Sequence, residues 1–256
     1  MDCRSAIQVK RVGIRAEFFP AAEGILLPFM RLRVEMIKCV DLKKVYSEGK
    51  NQVIALNGIS LSVEKGEFVA IQGKSGCGKS TLLNMLGLID KPTSGDILFE
   101  GNSILSLSEK EKARFRNKRI GYIFQSFYLD SAYSAIRNVE IPIVISGIQK
   151  ENRRQMVEEA LKAVGMESRG KTPAGALSGG EKQRICIARA LVNNPDIILA
   201  DEPCGSLDSQ NTKQVMDLLS RIHETGVTIL MVTHSEEDAK YASRRFFMED
   251  GRITEG

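Results

Sequence analysis

Gly73-Lys74-Ser75-Gly76-Cys77-Gly78-Lys79-Ser80 is the stretch from which the rest of the chain is read. It fits GxxxxGK[ST] and stands in the setting that pattern needs, after the short apolar run Phe68 to Ile71 and before a segment of helical content from Lys79 to Ile89. Glycines let the backbone wrap phosphate oxygens, while the N–H groups of the loop and of the helix start face negative charge. Lys79 is placed to reach β and γ oxygens, and Ser80 offers a hydroxyl to Mg²⁺. Gly73, Lys74, Ser75, Gly76, Cys77, Gly78, Lys79, Ser80 and the adjoining Thr81 form the expected nucleotide-binding set.

Further along, Ile197-Ile198-Leu199-Ala200-Asp201-Glu202 is an apolar strand ending in two carboxylates. In open α/β folds that end of a strand borders the nucleotide crevice. Asp201 is expected to hold Mg²⁺ through water, and Glu202 to polarise an attacking water. Leu177-Ser178-Gly179-Gly180-Glu181 has two readings. Ser178 and Glu181 make an S-x-x-E capping box before an amphipathic helix. Capping alone does not need the glycines, each of which costs about 0.8–1 kcal/mol relative to Ala in a helix; a phosphate approaching the first-turn backbone would need them.

The organisation around these stretches is α/β. Ile37 to Tyr46 and Val53 to Glu64 alternate like half-buried antiparallel strands, with polar punctuation from Ser47 to Lys50. Strand-like Ile120 to Phe124 precedes a run of charged helix formers from Asn138 to Val164, which reads as a helical insertion. A helix from Gly179 to Val192, the strand Ile197 to Ala200, a helix from Ser209 to His223 and a strand from Val227 to Val232 follow. Such alternation predicts a mostly parallel sheet covered on both faces. Residues 1–35 lack a sustained period and are expected to be a mobile extension, with the folded domain over 36–256 and a helical subdomain at about 126–192.

Composition narrows the classes. With 43% hydrophobic residues in 256, the chain can bury a core, and a net charge of +4 dispersed along it gives no basis for nucleic acid as a partner. The five cysteines show neither a CxxC pair nor zinc-site spacing and read as free thiols in a reducing compartment. No apolar run approaches the roughly 20 residues that span a bilayer. The chain is expected in the cytoplasm.

From Met36 to Gly256 the sequence resembles the ATP-binding cassette ATPases, through the P-loop, the Asp201-Glu202 strand end and Leu177 to Glu181. The resemblance implies a P-loop NTPase (RecA-like) fold: a mostly parallel sheet core with an antiparallel β subdomain and an inserted helical subdomain. It implies ATP and Mg²⁺ as cofactors, and a homodimer in which Ser178, Gly179 and Gly180 of one copy close over ATP held by the other. Tyr46 matches the aromatic that stacks on adenine. Gln125 matches the glutamine that touches Mg²⁺ and senses a membrane partner. Asp208, in Ser206-Leu207-Asp208, matches the loop that couples the two sites. His234 matches the histidine that contacts the γ-phosphate, so that Glu202, His234 and Gln125 form the expected catalytic group and Ser80, Gln125 and Asp201 the metal group.

The run from Arg114 to Gln125, Asn138-Val139 with Pro142, and Leu88 to Gly95 look like the subgroup of lipoprotein-release, macrolide-export and peptide-resistance ATPases. That implies an ATPase peripheral at the inner face of the membrane, driving integral permease subunits. A cell-division-type ATPase that actuates a membrane protein without moving substrate is the alternative. Chromosome-maintenance relatives need coiled-coil insertions and translation factors need two cassettes, neither of which this chain contains; a GTPase is opposed by the missing NKxD. The sequence departs from the common family pattern at Cys77, Glu181 and Cys204. Glu181 is expected to turn back toward the Ser178 N–H.

Overall fold

The computed structural model describes residues 34–48 and 51–256. The expected mobile extension over 1–35 therefore lies outside the described residues except for Val34 and Glu35, and Glu35 already belongs to a strand. The first strands are β1 (Glu35–Glu48) and β2 (Asn51–Glu64), paired antiparallel with Ile37 opposite Val63 and Tyr46 opposite Val53. Their alternation puts Met36, Leu42, Leu56, Ile59 and Val63 inside. Next come β3 (Phe68–Gln72), α1 (Lys79–Leu86), β4 (Ser94–Phe99) and β5 (Asn102–Ser103). The antiparallel sheet runs β2-β1-β4-β5.

The chain continues through α2 (Glu109–Arg119) and β6 (Ile120–Ile123) into the helical region α3 (Ala135–Ile145), α4 (Lys150–Ala163) and α5 (Gly179–Leu191). It returns as β7 (Ile197–Asp201), α6 (Ser209–Glu224), β8 (Thr228–Thr233), α7 (Glu236–Ala239), β9 (Arg244–Glu249) and β10 (Arg252–Glu255). The six-stranded sheet has the order β10-β9-β3-β8-β7-β6, parallel throughout except at the β9–β10 hairpin. This is the α/β arrangement expected from the sequence.

Strand side chains point alternately to opposite faces, so a strand apolar at every position feeds two cores. Phe68, Ala70, Ile198, Ala200, Ile229 and Met231 face α5, α6 and the helical region. Val69, Ile71, Ile197, Leu199, Leu230 and Val232 face α1 and the antiparallel sheet. All residues of β3, β7 and β8 are buried.

Several expectations are corrected. Helix α1 stops at Leu86 rather than Ile89, because Leu88 takes a φ of 54°, which no helix accommodates. The insertion is broken into two helices at Gly147, whose φ of 74° does not fit a helix. Strands β4, β5, β9 and β10 and helices α2 and α7 have no counterpart in the sequence reading. Helix α2 is the instructive one: EKEKARFRNKR buries almost nothing and has no apolar stripe, and it is held by a Ser108–Glu111 capping box with acids in its first turn and bases in its last.

The loop leading from β6 to α3 carries Gln125 and is pinned by Asn138, which is fully buried. Its Oδ1 accepts the Asp130 N–H at 2.8 Å, and its Nδ2 donates to the carbonyls of Asp130 (3.1 Å), Ser134 (3.1 Å) and Tyr133 (3.3 Å). Four residues on, Pro142 has no N–H to give α3, and its carbonyl accepts from Asn117 at 3.0 Å and Asn193 at 3.4 Å, joining α3 to the ends of α2 and α5. Replacing Asn138 with Ala takes the partner from the Asp130 N–H, while the three carbonyls keep the backbone N–H groups of Tyr133, Asn138 and Ala174. With the loss of a fully buried amide it should destabilise the chain by about 1–2 kcal/mol, read as a lower urea midpoint.

Candidate active site

Strand β3 delivers the loop 73–78 to the end of the parallel sheet, and α1 begins at its far side. Gly78, with a φ of 110°, is the residue before the helix, and a β-carbon there would run into the Ala55 carbonyl oxygen. No side chain caps α1 and no acid occupies its first turn, so its leading N–H groups face outward as an anion cradle. The Lys79 ammonium, 5% exposed, donates to the carbonyls of Gly73 at 2.8 Å and Lys74 at 3.0 Å. It also stands 3.7 Å from Glu202 Oε1. A cleft of about 450 Å³ opens here, lined by Ser75, Gly76 and Gly78 to Thr81 of the loop and helix together with Val53 to Ala55, Gln125, Glu202 and His234.

Strand β7, separated from β3 by β8, brings in the carboxylates. Ser80 Oγ donates to Asp201 Oδ1 at 3.0 Å. Burial raises the Asp201 carboxyl above its usual range, opposed by the Ser80 bond and the Lys79 charge and reinforced by the Glu202 charge. Glu202 leaves the strand with a φ of 43°, the left-handed region that costs an ordinary residue roughly 1–2 kcal/mol. Its N–H is retained by Val232 O at 3.0 Å. So turned, Glu202 Oε2 accepts from Gln125 Nε2 at 3.2 Å and from His234 Nδ1 at 3.0 Å.

The structure thus brings Lys79, Ser80, Asp201, Glu202, Gln125 and His234 together from β3–α1, β7, β8 and the end of β6. The Ser80 hydroxyl, the Asp201 carboxylate and the Gln125 amide oxygen are hard donors of the kind Mg²⁺ takes. Among the described residues no group of three or more His, Cys, Asp or Glu side chains could hold a metal alone. This suits an ion that keeps waters and phosphate oxygens as its other ligands.

Four other sequence-selected residues, Ser178, Gly179, Gly180 and Asp208, do not line this cleft, and neither does Tyr46. The Tyr46 hydroxyl donates to Asp90 Oδ2 at 3.0 Å, and the Lys44 ammonium lies 4.7 Å from the ring centroid. Tyr46 is opposite Val53, which does line the cleft. Sequence reading passed over Val53 and Ile54, whose 63% and 58% exposure marks them as apolar residues left at the mouth of a site. Asp90 was also missed, and no sequence period could have paired it with Tyr46.

Ser178 caps α5 by accepting the Glu181 N–H at 3.3 Å, and Glu181 Oε2 accepts the Ser178 N–H at 2.8 Å, as the sequence indicated. What it did not indicate is Arg169, whose Nε donates to Glu181 Oε1 at 2.8 Å. Asp208 caps α6 through the Asn211 N–H at 2.8 Å. Cys77 is half-buried, while Cys204 is buried and its thiol is pushed up to about 12 by desolvation. His223 stays structural, with Nε2 3.0 Å from Gly66 O.

Comparison with known proteins places the chain among relatives of one family. The family model described as "ABC transporter" matches residues 56–205. An uncharacterised ABC transporter ATP-binding protein of Methanocaldococcus jannaschii is 47% identical over 220 residues, covering 86% of this chain and 98% of that protein. The macrolide export ATP-binding/permease protein MacB of Chlorobium phaeobacteroides is 45% identical over 218 residues, which cover 85% of this chain and 33% of MacB. Among solved structures, the dimeric bacterial ABC transporter cassette MJ0796 superposes with a TM-score of 0.80 at 39% identity, covering 86% of this chain and 98% of that one. The same cassette in a post-hydrolysis state with ADP and Pi matches with a TM-score of 0.80 at 38% identity.

Glu181 makes a pH-dependent prediction. The Arg169 guanidinium, followed by the Ser178 N–H, holds its carboxyl at about 2, below the ordinary value of 4.5. A depressed carboxylate stabilises the fold above its unfolded value and loses that contribution as pH falls from about 4.5 through about 2. Glu181→Gln should therefore unfold at a lower temperature than the parent chain at pH 7, and the gap should close on acidification through that window.

Proposed function

The chain belongs to the ABC transporter family, as an ATP-binding ATPase subunit, and on that premise we propose that two copies close head to tail around two ATP molecules and drive an export or lipoprotein-extraction permease. The observation that carries the reading is the grip on Glu202. A carboxylate 3.7 Å from the P-loop lysine, oriented by Gln125 and His234, is a general base aimed into a phosphate cradle.

In this reading Ser80, Asp201 and Gln125 are the residues that would hold Mg²⁺, which when bound would supply positive charge against the phosphate. Lys79 exchanges its bonds to Gly73 O and Lys74 O for phosphate oxygens. The N–H groups of α1 share the remaining charge. Glu202 takes the proton of the attacking water, and His234, already in contact with that carboxylate, steadies it and meets the γ-phosphate.

Tyr46 and the exposed Val53 and Ile54 form the face on which adenine rests. The turn at Ser178 and Gly179 starts a capped helix and does not line the chain's own cleft, which supports a site completed by a second copy. Asp208 stands beside that turn and links the two sites.

For the membrane partner, support comes from a groove of about 340 Å³ between α2, β6 and α3. It is lined in part by Ile89 and Ile145, which are 48% and 71% exposed, and Tyr128, 71% exposed, follows in the loop after Gln125. No helix among the described residues is long and apolar enough to cross a membrane. The proposal places the subunit at the inner membrane face, held through this groove by permease subunits. The extracting or exporting character rests on the Arg114 to Gln125 and Leu88 to Gly95 stretches and on the likeness to MacB.

Glu202→Gln tests the core of the reading. The variant should bind ATP as the parent does, lose at least about 100-fold in turnover, and accumulate an ATP-bound dimer on gel filtration. Normal turnover in that variant, or tight ATP binding with no dimer, would sink the proposal.

A further inference from the structure

The two glycines at the start of α5 occupy different surroundings. Gly179 is exposed, and a β-carbon there would meet only Leu207 Cδ2 at 3.5 Å, an ordinary contact. Gly180 is buried, and a β-carbon there would land in the side-chain amide of Asn211, 2.7 Å from Cγ and 3.2 Å from Cβ. Asn211 is also tethered. Its backbone N–H donates to Asp208 Oδ1 at 2.8 Å and its Nδ2 donates to Asp208 Oδ2 at 2.8 Å, so one residue engages both oxygens of the carboxylate that caps α6. With Nδ2 committed to Asp208, Oδ1 is the amide atom turned toward Gly180.

We propose that Asn211 is a positioning residue: locked by Asp208, its amide fills the space a side chain at 180 would need and sets the start of α5 against the start of α6. Gly180 is then required by packing within its own chain, and Gly179 alone is left open to a ligand from outside. The inference deepens the proposed function and rests on it, since it concerns the turn at Ser178 and the loop at Asp208 that this function offers to the second copy. Two hydrogen bonds within the start of α6 fix Asn211 to Asp208, and the packing of Asn211 against Gly180 then couples the two elements. The accommodation is steric and hydrogen-bonded, and it needs no nucleotide to form.

The test uses the full chain carrying Glu202→Gln, with three readouts: the melting temperature without nucleotide, the affinity of the monomer for a fluorescent ATP analogue, and the ATP-dependent dimer fraction. Gly180→Ala should lower the melting temperature by about 3 °C or more. It should also weaken the dimer about tenfold while leaving nucleotide affinity unchanged. Adding Asn211→Ala, which removes the obstructing amide, should restore most of both losses, and Asn211→Gly should restore them too. Asn211→Ala alone should weaken the dimer about threefold with unchanged nucleotide affinity, the effect of a positioning residue that a merely structural one would not give.

Double variants as impaired as Gly180→Ala in both stability and dimerisation would overturn the proposal, as would a Gly180→Ala chain equal to its parent. Recovery of the melting temperature without recovery of the dimer would overturn the positioning role. If the Glu202→Gln parent itself forms no ATP-dependent dimer, the proposed function falls, and recovery or persistence of the melting-temperature loss still decides whether Asn211 dictates the glycine.

Discussion

Three neighbouring strands must end in step for this site to exist. The parallel register sets Gln72 beside Thr233 and Asp201 beside Val232, so the residues that follow each strand emerge at the same edge. Lys79, Glu202 and His234 are far apart in sequence and meet only because β3, β8 and β7 are adjacent. What fixes the register is burial on both faces: a slip by one residue would exchange the two cores, placing Phe68 and Ala70 where Val69 and Ile71 now pack. The electrostatics of the cleft are thus a consequence of hydrophobic packing some distance beneath it.

A second layer of order comes from caps. Helices α2, α5 and α6 each begin with a side chain accepting the N3 amide, and α2 and α5 add the reciprocal glutamate. Helices α1 and α4 lack a capping side chain, but α4 starts from an extended Gln149 with Glu151 in its first turn, whereas α1 starts from a left-handed glycine with no acid there. The contrast separates helices whose first turn is met by groups of the chain from α1, whose leading N–H groups are open to an anion. On that criterion α5 is mixed, since Ser178 and Glu181 supply the cap while Gly179 leaves the backbone beside it accessible.

The sequence was most readable where one local rule acts alone. The P-loop glycines, the buried strands β3 and β7 and the Ser178–Glu181 box each follow from a few adjacent residues. The expected α/β fold with an antiparallel sheet and a helical region was legible for the same reason. Strands β4 and β9 escaped because polar residues dilute their apolar pattern, as in Arg244–Glu249, and β10 because it is a four-residue strand at the sheet edge. Helix α2 escaped because it has almost no apolar face. At the site, Asp90, Arg169 and Asn211 act through contacts set by tertiary structure, and no spacing rule reaches from 90 to 46 or from 211 to 180.

The left-handed backbone at Glu202 has an implication for any attempt to harden this molecule. Asparagine and glycine tolerate that conformation better than glutamate does, so substitutions there relieve the backbone while removing the carboxylate that Gln125 and His234 hold. A screen that rewards survival at high temperature alone would drift toward inert variants at this position. Robustness and chemistry are opposed at one peptide unit, and selection for both must hold that unit in its uncomfortable shape.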